Sequence, residues 1–175
     1  MRRVAAAALP ALVLLVSSFA AAQTTVPTRD ELVRMLSTFE SSPSSARWRA
    51  MGDRMVSPLV EIYGDRSLPP YVRLRALVAV GAFHTRAARA TLVAAATSPH
   101  TPEMHAREAV LALGRTFGAE ALDELAARLD DTRPLVREAA ARALSRIRVA
   151  RARTIVRERL RSEVDPVIRD ALAGR

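Results

Sequence analysis

Four prolines, Pro70, Pro102, Pro134 and Pro166, stand 32 residues apart, and each opens a segment of the same apolar pattern. A fixed period of this length marks a chain built from stacked supersecondary units. Such units cannot bury their apolar faces alone, so each depends on its neighbours, and the stack offers an extended surface rather than a catalytic cleft. Reading forward gives PYVRLRALVAVG at 70–81, PEMHAREAVLALG at 102–114, PLVREAAARALS at 134–145 and PVIRDALAGR at 166–175. The second copy carries one extra residue: Gly114 lies 33 after Gly81, and Ser145 lies 31 after Gly114. The slip is local and the repeat survives it.

The stretches before these segments recur as well. Leu59, Leu92, Leu125 and Val156 are spaced 33, 33 and 31, as are Tyr63, Ala96, Leu129 and Leu160, and Met55, Ala88, Ala121 and Ala152. Within a copy the three series are four residues apart, which places them on one face of a helix. Each period therefore predicts two amphipathic helices, with proline at the first position of the second, where its missing N–H costs nothing. Thr101 and Asp165 are the expected N-caps of two of these helices. Ahead of the repeats, Thr28 and Glu31 form a capping box before a helix expected to bury Leu32, Val33, Leu36 and Phe39. The serines around Pro43, from Ser41 to Ser45, break the chain before a short helix, whose Trp48 reads as a packing residue of a terminal cap.

The second-helix pattern, Asp131 followed by Val136, Arg137, Ala140 and Leu144, and likewise Val72, Arg73, Ala76, Val80 and Gly81, resembles the HEAT-repeat family, including its bacterial phycobilisome-lyase-type members. The resemblance covers roughly residues 53 to 175, with Ile168 and Arg169 in the last copy and Met104 and His105 standing where Val-Arg belongs in the second. It implies an all-α fold, a right-handed α-solenoid of about three and a half helical pairs behind an N-terminal helical cap. It also implies an Asp–Arg ladder between repeats, interrupted at the second copy, and second helices that line a concave face. On that face Ala82, Arg115 and Arg146 would form one outward row, and Val78, Leu111 and Arg142 another. The candidate partner-binding residues are Arg75, Val78, Leu111, Arg115, Arg142 and Arg146.

Composition agrees with such a fold. Aromatic residues make up 4% of the chain and apolar residues 50%, so the core must be built from Ala, Leu and Val, the material of closely packed helices. Arg2 and Arg3 precede an uncharged run from Val4 to Ala22 that ends in three alanines, the pattern of a secretory signal cut between Ala22 and Gln23. The expected organisation is a signal peptide at 1–22, a cap and linker at 23–52, and repeats at about 53–83, 84–117, 118–148 and a truncated 149–175, whose last helix is expected to fray. The product would be periplasmic or secreted, with no transmembrane segment after cleavage. The chain has no cysteine, so neither disulfides nor a thiol-linked lipid enter the argument.

Charge is the strongest functional signal. All 27 basic residues are Arg, and residues 133 to 161 hold ten of them against Glu138 and Glu158. Arg153, Arg157 and Arg161 form a stripe at four-residue spacing, on the side opposite Val156 and Leu160. Catalytic patterns are thin: there is no G-x-S-x-G, phosphate loop or H-E-x-x-H. His100, Glu103 and His105 do not converge by spacing alone, and no metal or cofactor is expected. The resulting expectation is a non-enzymatic interaction scaffold whose concave face takes a partner, expected to be a protein with an acidic segment. The alternative is an electrostatic binder of anionic envelope lipid or polymer through the arginine-rich C-terminal repeats. An accessory subunit of an enzyme ranks below both, and nucleic acid is disfavoured by the scarcity of stacking aromatics.

Overall fold

The computed structural model describes residues 26–38 and 43–175. The expected signal peptide lies outside the described residues, as do Phe39, Ser41 and Ser42. Two helices form the cap, α1 (Arg29–Ser37) and α2 (Ser45–Ala50). The Thr28 hydroxyl accepts the Glu31 N–H, and the Glu31 carboxylate accepts the Thr28 N–H at 2.7 Å, so the capping box is complete. Leu32, Leu36 and Trp48 are buried, and Val33 packs partly against them.

Four helical pairs follow. They are α3 (Val56–Gly64) with α4 (Pro70–Val80), α5 (Arg86–Thr97) with α6 (Glu103–Thr116), α7 (Leu122–Ala127) with α8 (Pro134–Arg146), and α9 (Ala150–Ser162) with α10 (Pro166–Leu172). Short 3-10 turns at Gly118–Ala121 and Arg128–Asp130 flank α7. The second helices pack in chain order, α4 on α6, α6 on α8 and α8 on α10, and among the described residues there is no strand. The fold is an all-α solenoid.

The periodic positions form its core. Met55, Ala88, Ala121 and Ala152 are fully buried, as are Leu59, Leu92 and Leu125. Val156, the equivalent of these leucines in the last pair, is only partly covered. Small residues set the spacing between second helices. A Cβ on Gly81 would stand 2.7 Å from the Ala112 Cβ, and one on Gly114 would stand 2.6 Å from the Ala143 Cβ. Neither fits without moving a helix, so these glycines serve close approach rather than an unusual backbone angle.

Proline opens α4, α8 and α10 at their first positions, and Asp165 caps α10 by accepting the Val167 N–H at 2.9 Å. The second copy departs from this. Pro102, not Thr101, is the N-cap residue of α6, and the extra residue is absorbed at that end. Counted back from Gly114, His105 then falls in the buried place of Val72 and Val136, and Ala106 takes the place of Arg73 and Arg137. His105 is 4% exposed and Ala106 fully buried, as this register requires. His105 thus replaces the valine of the pattern, not the arginine.

Arginines tie one pair to the next. The Asp131 carboxylate holds Arg133 through both oxygens, Nε at 2.8 Å and Nη2 at 2.9 Å. The fixed guanidinium donates to the carbonyl oxygens of Ala96, Ser98 and Thr101 in the preceding pair, at 2.9, 3.3 and 3.3 Å. Arg159 does the same work one pair later, donating to the Leu129 carbonyl at 3.0 Å and pairing with Asp130 and Glu163. The Arg of the Val-Arg pattern closes its own pair instead: Arg73 donates to Tyr63 O at 2.9 Å, Arg137 to Asp131 O at 3.0 Å and Arg169 to Glu163 O at 2.8 Å. Of these Val-Arg arginines, Arg137 also reaches a carboxylate of the next pair, Asp165, at 3.9 Å.

The last helix closes on a glycine turn. Gly174 adopts φ +76°, the Gly174 N–H returns to Ala171 O, and the Arg175 N–H to Asp170 O at 2.9 Å. This is the glycine-closed helix end that satisfies orphan carbonyls. It also turns Arg175 back towards α8.

Candidate functional site

The second helices expose two depressions at opposite ends of their row. At the N-terminal end, a pocket of about 230 Å³ lies between the cap and the first two pairs, lined by Leu36, Trp48, Leu74, Val78, Met104 and Glu108 among others. Val78 is open to solvent beside this apolar wall. Trp48 packs as expected of a cap residue, and its buried ring also floors this pocket. Arg75 stands at the same wall, but its guanidinium donates to Leu36 O at 2.9 Å and Thr38 O at 2.7 Å. It closes the C-terminal end of α1 and fastens the cap to the repeats.

At the C-terminal end lies a polar basin of about 430 Å³ walled by Arg142, Arg146, Arg148 and Arg175, with Ser145, Ala171 and Gly174. Arg142 pairs with Glu138 one turn earlier on α8, and Arg175 lies 3.7 Å from Asp170. Arg146 and Arg148 have no carboxylate or carbonyl partner among the described residues. Two of the predicted residues are thus brought together. Arg115 is exposed and Leu111 half-buried, and neither lines either depression. Ala82, expected in the outward row, is 4% exposed because the chain turns immediately after Gly81 and folds it inward.

A third depression adjoins the basin and shares Ser145 with it. Leu144, Ile147, Val156, Leu160 and Leu172 floor a groove of about 180 Å³ between α8, α9 and α10, and Arg153 and Arg157 stand on its edge. The arginine stripe and the apolar pair are not on opposite sides of α9. Arg153 and Arg157 flank the same groove as Val156 and Leu160, because positions three apart on a helix share a side. Arg161 is exposed outside it.

Half of the local charge is structural. Of the ten arginines from 133 to 161, Arg133, Arg137, Arg142, Arg151 and Arg159 are held by carboxylates or backbone carbonyls. Arg146, Arg148, Arg153, Arg157 and Arg161 have no such partner among the described residues, and four of these five line the basin or the groove. Sequence reasoning missed Arg175, and took Arg148 only as the start of the arginine-rich stretch, 148 to 161, of the lipid or polymer alternative. Arg148 sits in the turn after α8, outside any helical register, and Arg175 reaches the basin only through the Gly174 turn.

Among the described residues no group of three His, Asp or Glu side chains could hold a metal ion. Glu103 instead accepts the Leu135 N–H at 2.9 Å, satisfying an orphan donor at the start of α8. His105 is enclosed near Tyr63, with ring centroids 6.0 Å apart, and its Nδ1 is buried without a partner among the described residues. Burial holds its pKa below the ordinary histidine value, the nearby Arg73 charge adds to this, and a hydrogen bond with the Pro70 backbone opposes it.

With the stacking, the close glycines and the inter-pair arginines in view, the comparison with known families is decisive. The family described as HEAT repeats matches residues 56–132 and, in a second overlapping stretch, residues 100–174. The chain belongs to the HEAT-repeat family. No curated protein matches it. HEAT repeats are in general protein-interaction scaffolds, and HEAT-repeat solenoids are typically not enzymes. Among the described residues, no helix of this HEAT-repeat chain is long and apolar enough to cross a membrane.

Proposed function

We propose that this chain is an interaction scaffold that holds an acidic segment of a partner protein at the C-terminal end of its second-helix face. The observation that supports this reading is the convergence of Arg142, Arg146, Arg148 and Arg175 on one basin, two of them without a counter-charge among the described residues. Guanidinium groups present paired N–H donors that match a carboxylate in geometry as well as charge. Four such forks around one depression fit a run of aspartates or glutamates better than a single ion.

The test is fluorescence anisotropy of labelled glutamate-rich peptide with the purified protein and with the Arg146→Glu/Arg148→Glu variant. Binding that weakens by about tenfold or more, and that falls with added salt, is the expected result. Unchanged affinity in the variant removes the basin from the function. Binding to anionic vesicles in place of peptide would favour the lipid alternative instead. We also propose export, on the pattern of residues 1–22 alone; a mature protein whose N-terminal sequence begins elsewhere than Gln23 argues against the proposed cleavage.

A further inference from the structure

The basin and the apolar groove are adjoining parts of one surface, joined at Ser145, and the geometry points to a composite site for an acidic segment that carries a large apolar anchor residue. This inference rests on the acidic-segment reading and specifies the segment. The anchor would seat against Ile147, Val156, Leu160 and Leu172, and its neighbouring carboxylates would meet Arg146 and Arg148 on one side and Arg153 and Arg157 on the other.

Three observations carry it. First, the groove occupies a position that the repeat itself defines as core. Leu59, Leu92 and Leu125 are fully buried, whereas their equivalent Val156 is not, so an apolar surface shaped for helix packing stands open. Second, the opening is bordered by charge of one sign that no described residue neutralises. Arg153 and Arg157 have no partner among the described residues, which favours a ligand combining apolar and anionic groups over a plain hydrophobic one. Third, size distinguishes an anchor side chain from a whole small molecule. At about 180 Å³ the groove is smaller than the roughly 300–1,000 Å³ of typical small-molecule pockets, and it suits one or two side chains of an extended or helical peptide.

The experiment compares three labelled peptides on the purified protein: a glutamate-rich sequence with a central leucine pair, the same sequence with alanine in place of leucine, and the leucine sequence with glutamine in place of glutamate. The leucine-bearing acidic peptide is expected to bind about tenfold more tightly than its alanine version, in line with burial of a leucine side chain. Leu160→Gln, with helical content checked by circular dichroism, should abolish that preference. Arg153→Gln/Arg157→Gln, which alters only exposed side chains, should weaken the leucine-bearing acidic peptide. A photoreactive leucine analogue at the anchor should crosslink within residues 144–172.

Equal binding of the leucine and alanine peptides would overturn the composite site and leave the acidic-segment reading standing. No advantage of either acidic peptide over the glutamine version would overturn both. Crosslinks confined to the Trp48 pocket, or a preference that survives in both variants, would place the anchor elsewhere and sink the inference.

Discussion

Gly114 shows how little room separates adjacent second helices. With Ala143 opposite, Gly114→Ala demands that α6 and α8 part by a few tenths of an ångström or more, and overpacking of this kind costs about 1–3 kcal/mol. Chemical denaturation should report the loss, and Ala143→Gly in the same chain should recover part of it, since the two atoms in conflict are named. His105 gives a second prediction at this scale. Its pKa is lowered in the fold, so the unfolded chain binds the proton more readily, and stability drains away as pH falls below the ordinary histidine value of about 6.5. His105→Val, which restores the residue type of the neighbouring copies, should flatten that decline in denaturation curves between neutral and mildly acidic pH. A decline of equal slope in the variant would assign it to other groups.

At the level of elements, the pairs are joined by a carboxylate that fixes an arginine that in turn caps a neighbour. Asp131 is held below the usual carboxylate range chiefly by its hydrogen bond to Arg133. The sign follows: its contribution is complete above the unfolded value near 4 and is lost as pH falls through the lower folded value. Asp131→Asn should cost about 2 kcal/mol near neutral pH, the scale of a hydrogen bond to a charged group, and should lose less on acidification than the parent chain. Urea titrations at two pH values check both parts. Much of this level was legible in the sequence. The period located every helical pair, because burial of one apolar stripe per helix leaves a repeating mark. The partner of Asp131 was not legible: residues two and six further on are both arginine, and only the turn before Pro134 decides that Arg133 takes the carboxylate and Arg137 the carbonyl. Nor could periodicity reveal where the extra residue of the second copy would go. That depended on Pro102 standing at the N-cap and shifting His105 into the core.

For the whole molecule, stability is the sum of pair-to-pair interfaces, and it is unevenly distributed. α6 and α8 are covered on both sides, whereas α9 buries fully only Ala152. Backbone amides of α6 and α8 should therefore exchange most slowly with deuterium, and those of α9 earlier, with a bound acidic peptide slowing α9 and α10 in particular. Uniform protection along the chain would contradict this picture. The candidate site was half legible for a related reason: Arg142 and Arg146 follow helical register, but Arg148 and Arg175 reach the same place through turns. The basin they form is made of guanidinium alone, since the protein contains no lysine. Guanidinium stays protonated throughout the range in which proteins remain folded. Such a site cannot be titrated from its own side, so any pH dependence of capture belongs to the guest: the midpoint of the binding curve would read out the acidity of the partner's carboxylates, making the scaffold a passive reporter of the charge state of whatever it holds.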